Sequence, residues 1–240
     1  MTAIPNDRLI TPEQMKWLQT IDSPTLANAI EPFEVRDRCD GFLGGEIRCQ
    51  FPDLGSMCGY ALTVTVSNEH GAVKTKDGFW RMFEAVDQMP KPVVIVMKDI
   101  SGAPHRVAYA GEVMATLAKK LGAVGMVTDG ALRDVPEVHA MGFHYFMKYP
   151  VVSHANFWIE DVGVPVEMDG EVINTGDILH GDANGIVVVP PSVIDGLPAA
   201  VEKVREHERK IMEFYRSDRF THRGCESRPR ILIPPLQPDQ

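Results

Sequence analysis

Glu112, Arg133 and Asp134 are the residues of this 240-residue chain whose types and spacing best suit chemistry, with twenty residues between Glu112 and the Arg-Asp pair. Asp134 is a hard oxygen ligand, of the kind Mg²⁺ accepts once or twice while keeping several waters. Arg133 offers a planar fork to a second pair of oxygens. If Glu112 opens a helix, the amides of Val113 and Met114 are among the first-turn donors that lack helical partners, and they suit a carboxylate or an oxyanion. Together these groups would hold an α-keto acid with its carbonyl on a metal. A Lewis acid there stabilises the enolate that retro-aldol cleavage or β-keto acid decarboxylation must generate. The same residues also have a plainer reading. A first-turn glutamate complements the helix dipole, and an adjacent Arg and Asp commonly form a surface ion pair of little worth.

The elements that would bring the three together can be read from periodicity. Residues 92–97 (PVVIVM) form a continuous apolar run, as in a strand buried on both faces. Residues 111–121 place Val113, Met114, Leu117, Ala118 and Leu121 on one helical stripe, and Gly122 stands at the stop. Residues 124–127 give a second buried strand, closed by Asp129-Gly130. This is a βαβ unit with parallel strands. Its helix carries the chain about 15 Å away and the next strand returns it, so Glu112 and Arg133-Asp134 are expected at one sheet edge. Ligands of parallel α/β sheets bind at the carboxyl ends of strands.

Around this unit the sequence predicts helical structure over 11–31, restarting at Ser23-Pro24, and loops and edge structure over 40–59. A strand is expected at 61–66, a hairpin at Asp169-Gly170 and a strand at 185–190. Ser192 is a candidate helix cap, a long charged helix is expected at 198–216, and a polar arm from Ser217. We therefore expect an α/β core over 1–190 and a C-terminal helix and tail over 191–240.

Composition excludes several classes. Acids outnumber bases 33 to 24, for a net charge of -9, and the basic residues of 203–230 alternate with acids, so no nucleic-acid stripe is present. No apolar run approaches the length of about 20 residues that a membrane helix needs. Four cysteines without CxxC spacing and no evident leader point to reduced thiols and a cytoplasmic protein. His105, His139, His144, His154, His180 and His207 form no metal-binding spacing and read as surface or satisfied core residues. GxSxG, GxGxxG and Walker A patterns are absent, which argues against α/β-hydrolase, dinucleotide and NTP chemistry.

Gly111-Glu112-Val113-Met114-Ala115, with residues 125–134 (GMVTDGALRD), resembles the core signature of one superfamily: an acid, twenty residues, then Arg-Asp. It comprises the class II 4-hydroxy-4-methyl-2-oxoglutarate/4-carboxy-4-hydroxy-2-oxoadipate aldolases and the regulators of ribonuclease E activity. Residues 23–29, 59–64 and 176–190 agree, and the resemblance spans about 20–215. It implies a compact α/β domain of the swivelling β/β/α type, assembled as a homotrimer or hexamer with sites between subunits. Asp134 would bind Mg²⁺ or Mn²⁺ directly and Glu112 would hold a metal-bound water. Arg133, with Gly111 and the amides of Val113 and Met114, would grip the pyruvoyl part. Glu206 or Glu208 of a neighbouring subunit's C-terminal helix would complete the site.

The implied activity is a metal-dependent lyase releasing pyruvate from a 4-hydroxy-2-oxo acid, with oxaloacetate decarboxylation beside it. The alternative is a non-catalytic, ribonuclease-binding regulator; this chain retains both the Arg-Asp pair and the C-terminal helix, which favours the enzyme. Asn28 departs from the usual Asp. Segments 73–81 (with Lys74, Lys76 and Trp80) and 98–109 also depart from the commonest aldolases, leaving room for an acceptor-side specificity unlike either named compound.

Overall fold

A computed structural model describes residues 4, 8–68, 76–154, 156–218 and 220. Lys74, Cys225 and most of the expected arm lie outside them. The chain runs through α1 (Pro12–Leu18), α2 (Ser23–Ile30), β1 (Arg48–Cys49), β2 (Met57–Asn68), α3 (Asp77–Gln88) and β3 (Val93–Asp99). It continues through α4 (Glu112–Lys120), β4 (Ala123–Thr128), β5 (Ala131–Leu132), α5 (Val135–Ala140), β6 (His144–Met147) and β7 (Tyr149–Pro150). β8 (Phe157–Val162), β9 (Val166–Met168), β10 (Glu171–Ile173), β11 (Ile178–Asp182), β12 (Gly185–Val189) and α6 (Leu197–Arg216) follow.

The principal sheet is mixed, ordered β1-β6-β4-β3-β2-β11-β12, with β8 also pairing β2. β2, β3, β4 and β6 run parallel to one another, with a register shift between Val93 and Val94 where β3 pairs β4. Alternation along β3 explains its continuous apolar run. Val93, Ile95 and Met97 face a core shared with the helices, whereas Val94 and Val96 face a smaller core under the β9–β10 hairpin. The expected βαβ unit and the α/β fold class are both present, and the Asp169-Gly170 hairpin is β9–β10.

β2 is longer than its alternating centre suggested, because it serves two neighbours along one edge. Residues 57–60 pair with β11 and residues 64–68 with β8. At the changeover the Thr63 amide donates to the Thr175 hydroxyl at 3.1 Å, and the Thr63 hydroxyl donates to Val164 O at 2.6 Å. Side chains thus satisfy what the ladder leaves open.

Two capping expectations meet different outcomes. Thr11 caps α1 through a capping box with Gln14. Ser192 caps nothing; it lies within a short 3-10 turn, Pro191–Val193, and α6 starts after Gly196. The first half of α6 buries Leu197, Ala200, Val201 and Val204 in the chain's own core and packs on α2, while its outer half is half-buried to exposed.

Three histidines carry buried ring nitrogens with no hydrogen-bond partner among the described residues: both nitrogens of His180, Nδ1 of His144 and Nε2 of His207. His180 and His144 are buried as whole residues, His180 completely. Burial lowers the pKa of both rings, and for His180 it outweighs Asp182 and the Ile21 and Leu18 carbonyls, which favour the charged form. Below the ordinary histidine value of 6.5 the unfolded chain takes up protons that these folded rings refuse. Stability is therefore full above that pH and falls as pH drops through it, until the folded rings themselves take up protons. We expect the urea midpoint to fall between pH 7.5 and 5.5, and His180→Gln to flatten that slope; equal slopes in parent and variant would refute the assignment.

Candidate active site

The carboxyl ends of β2, β3 and β4 open onto one cavity of about 680 Å³, built from the residues that follow these strands. After β3 the chain runs through Ala108 and Ala110 to Gly111 and the start of α4; after β4 it reaches Arg133 and Asp134. The stretch after β2 contributes Lys76, Phe79 and Trp80, and β8, antiparallel to β2, contributes Phe157 and Trp158.

The charged corner forms because two short segments are tied together. Ala108 bridges Ala131, the Tyr109 amide donates to Ala131 O at 2.9 Å, and the Arg133 amide donates to Ala110 O at 3.0 Å. Asp134 then turns left-handed, at φ 57°, directly before α5. That turn aims its carboxylate at α4, where Oδ2 accepts the Glu112 amide at 2.8 Å. Arg133 Nε lies 3.7 Å from the same oxygen, and both side chains are about one-third exposed. The Val113 and Met114 amides find no acceptor among the described residues, as expected of a first helical turn.

Glu112 and Arg133-Asp134 therefore meet at one edge, but it is the Glu112 backbone that makes the contact. The Glu112 side chain is exposed and does not line the cavity. Gly111, Val113, Met114, Arg133 and Asp134 all line it. Val113 departs from the expected buried stripe: it is 82% exposed, because the first turn of α4 points this side chain at the cavity mouth rather than the sheet. Within one chain, Glu206 and Glu208 are not brought to the corner. Glu206 pairs with Lys210 at 2.7 Å, and Glu208 accepts from Asn28 at 3.3 Å.

No group of three or more His, Cys, Asp or Glu side chains suited to a metal occurs among the described residues. That donor set does not suit an ion needing a full protein cage. It fits a hard divalent ion that keeps most of its waters, with Asp134 as carboxylate.

Sequence reasoning reached the opposite wall only through the divergent segment 73–81, with its Lys76 and Trp80, and did not reach β8. Phe79, Trp80, Phe157 and Trp158 line this wall, and His154 stands on its exposed rim with Lys76. The amphipathic spacing of Phe79, Met82, Phe83 and Val86 was the available signal for α3. Tyr145 was also missed. It is fully buried beneath the corner with an unpartnered hydroxyl, and burial and the Asp134 charge raise its pKa, so it stays protonated.

Comparison with known proteins adds the following. The family model RraA-like (Aldolase/RraA) matches residues 23–188. An uncharacterized Methanocaldococcus jannaschii protein is 28% identical over 204 residues, covering 83% of this chain and 93% of that protein. A Halalkalibacterium halodurans protein named "Putative 4-hydroxy-4-methyl-2-oxoglutarate aldolase" is 33% identical over 135 residues, covering 56% of this chain and 60% of that protein. The crystal structure of Streptomyces coelicolor RraAS2, described as an unusual member of the RNase ES inhibitor RraA family, shares the fold. Its TM-score is 0.65 at 24% identity, over 87% of this chain and 98% of that one.

Proposed function

We propose a function from one premise: the chain belongs to the RraA-like (Aldolase/RraA) family. Its reaction is the cleavage of a 4-hydroxy-2-oxo acid to pyruvate and a second carbonyl compound, with oxaloacetate decarboxylation as a related activity. The observation that carries this reading is the Asp134 carboxylate, fixed 2.8 Å from the Glu112 amide in a cavity shared with Arg133 and two free first-turn amides. A regulator that acts only by surface contact has no need of such a corner.

Asp134 would hold Mg²⁺ or Mn²⁺, with Glu112 bearing on one of its waters; when bound, the ion supplies Lewis acidity toward a carbonyl oxygen. The chain's own residues do the rest. Arg133 binds the substrate carboxylate as a fork, because only its Nε is engaged by Asp134. The Val113 and Met114 amides meet the negative charge that grows on the keto oxygen as the C3–C4 bond breaks. A base must take the C4 hydroxyl proton, and Glu206 or Glu208 of a neighbouring copy in a homotrimer or hexamer is proposed for it.

The test is a coupled pyruvate assay over hydroxy-keto acids and oxaloacetate, with and without a chelator. Chelator-sensitive pyruvate release is expected. No release from any substrate, together with tight binding to a ribonuclease, would replace the lyase by the regulator. Arg133→Lys is expected to lower kcat/KM about 10- to 100-fold, mostly through KM, since a point charge cannot reproduce a two-pronged contact worth about 1.5–3 kcal/mol. Unchanged kinetics in that variant would move substrate binding elsewhere.

A further inference from the structure

We infer that the substrate is a 4-hydroxy-2-oxo acid with a single carboxylate and an aromatic group on C4, an assignment that rests on the lyase reading above. The cavity has two chemically distinct sides. Arg133, Asp134 and the first turn of α4 supply the polar one, and Phe79, Trp80, Phe157 and Trp158 supply the other. A pyruvoyl unit of three carbons occupies only a small part of about 680 Å³. What fills the remainder meets rings.

Those rings are held in place. Phe79 packs edge-on against Trp80 at 5.1 Å and against Phe83 at 4.7 Å, and Phe157 packs edge-on against Tyr109 at 5.6 Å. The two elements carrying them are in backbone contact: a Cβ added to Gly78 would lie 2.0 Å from Ile159 O, so only glycine lets α3 sit this close to β8. Trp80 packs on Phe79 yet stays 62% exposed at the cavity.

A substrate with a second carboxylate would need a cation on this side, because a carboxylate seated among rings loses its hydration without compensation. Apart from Arg133 on the polar side, the cationic candidates among the described lining residues are Lys76 and His154, both exposed. An aryl group asks for neither. In the reaction the C3–C4 bond breaks and the C4 hydroxyl proton passes to the base, so C4 becomes an aryl aldehyde. The bonding electron pair stays on C3 as the enolate of pyruvate, which takes up a proton at C3. No oxidant or reductant enters.

The experiment compares 4-hydroxy-2-oxo-4-phenylbutanoate with 4-hydroxy-4-methyl-2-oxoglutarate in the pyruvate assay with Mg²⁺, for the parent and Trp80→Ser. Calorimetric binding of 2-oxo-4-phenylbutanoate, which lacks the C4 hydroxyl, is compared with that of 2-oxoglutarate. We expect kcat/KM to favour the phenyl substrate at least about tenfold and Trp80→Ser to bring the ratio close to one. Tighter binding of the phenyl keto acid is expected even without turnover. A preference for the glutarate, or a ratio unmoved by Trp80→Ser, would overturn the aryl assignment while leaving the lyase standing. Absence of pyruvate from both substrates while another hydroxy-keto acid or oxaloacetate is cleaved would overturn the aryl assignment alone, and absence from every substrate would overturn the lyase and the assignment with it.

Discussion

Asp134→Asn is expected to lower pyruvate release at least about a thousandfold while changing folding stability by no more than about 0.5 kcal/mol. The substitution isolates charge. Asp134 sits at φ 57° and ψ 43°, a conformation asparagine adopts at least as readily as aspartate. Its amide oxygen can still accept the Glu112 N–H that Oδ2 now holds at 2.8 Å. What disappears is the anionic oxygen that the proposed divalent ion would need, a contribution of several kcal/mol to the barrier. At 1.36 kcal/mol per tenfold, about 4 kcal/mol gives the stated loss. Asp134→Ala should lose activity to the same degree and stability as well, since a left-handed alanine costs about 1–2 kcal/mol and the Glu112 amide loses its acceptor. Pyruvate release, Mn²⁺ binding by electron paramagnetic resonance and urea unfolding together check this; parental turnover in the asparagine variant would remove Asp134 from the chemistry.

The half of the candidate site that depends on local order was legible in the sequence. A doubly buried strand, an eleven-residue stripe and a second buried strand can be read from periods of two and 3.6, and once they are placed, Arg133 and Asp134 must return to the start of α4. Spacing could not say which atoms would meet. The contact with the Glu112 backbone, in place of its side chain, depends on the left-handed turn at Asp134, and aspartate types alone do not announce that turn. The aromatic half depends on pairing between distant segments. Phe157 comes opposite Asn68 only because β2 outruns its pairing with β11 and takes β8 as a further partner. Residues 73–81 read as a divergent loop, yet from Asp77 they begin α3, whose apolar stripe was present and went unused. His180 shows a different limit: its type suggests a polar partner, and its burial without one follows from the sheet packing on α1 and α2, which no local pattern encodes.

Gly111→Ala carries the second large effect, about a hundredfold in turnover for about 1 kcal/mol of stability. Gly111 has φ -145° and ψ -163°, an extended conformation that alanine tolerates, so the backbone does not require glycine. The modest stability cost is that of a poorer residue at the helix N-cap. Space is what requires it. A Cβ here would lie 2.3 Å from Asp134 Oδ2, 3.0 Å from Arg133 Cγ and 3.1 Å from Arg133 Nε. The cheapest relief is for the carboxylate to swing away from the Glu112 amide, because moving α4 would disturb Met114, Ala115 and Ala118 in the core. A displacement of about 1 Å at a positioned group costs on the order of a hundredfold. Combining Gly111→Ala with Asp134→Asn distinguishes this route from a diffuse one. If alanine acts through the Asp134 carboxylate, the double variant should be scarcely slower than Asp134→Asn alone, whereas independent effects would multiply. A fully multiplicative result would mean that Gly111 serves the site by some path other than the clearance it gives Asp134.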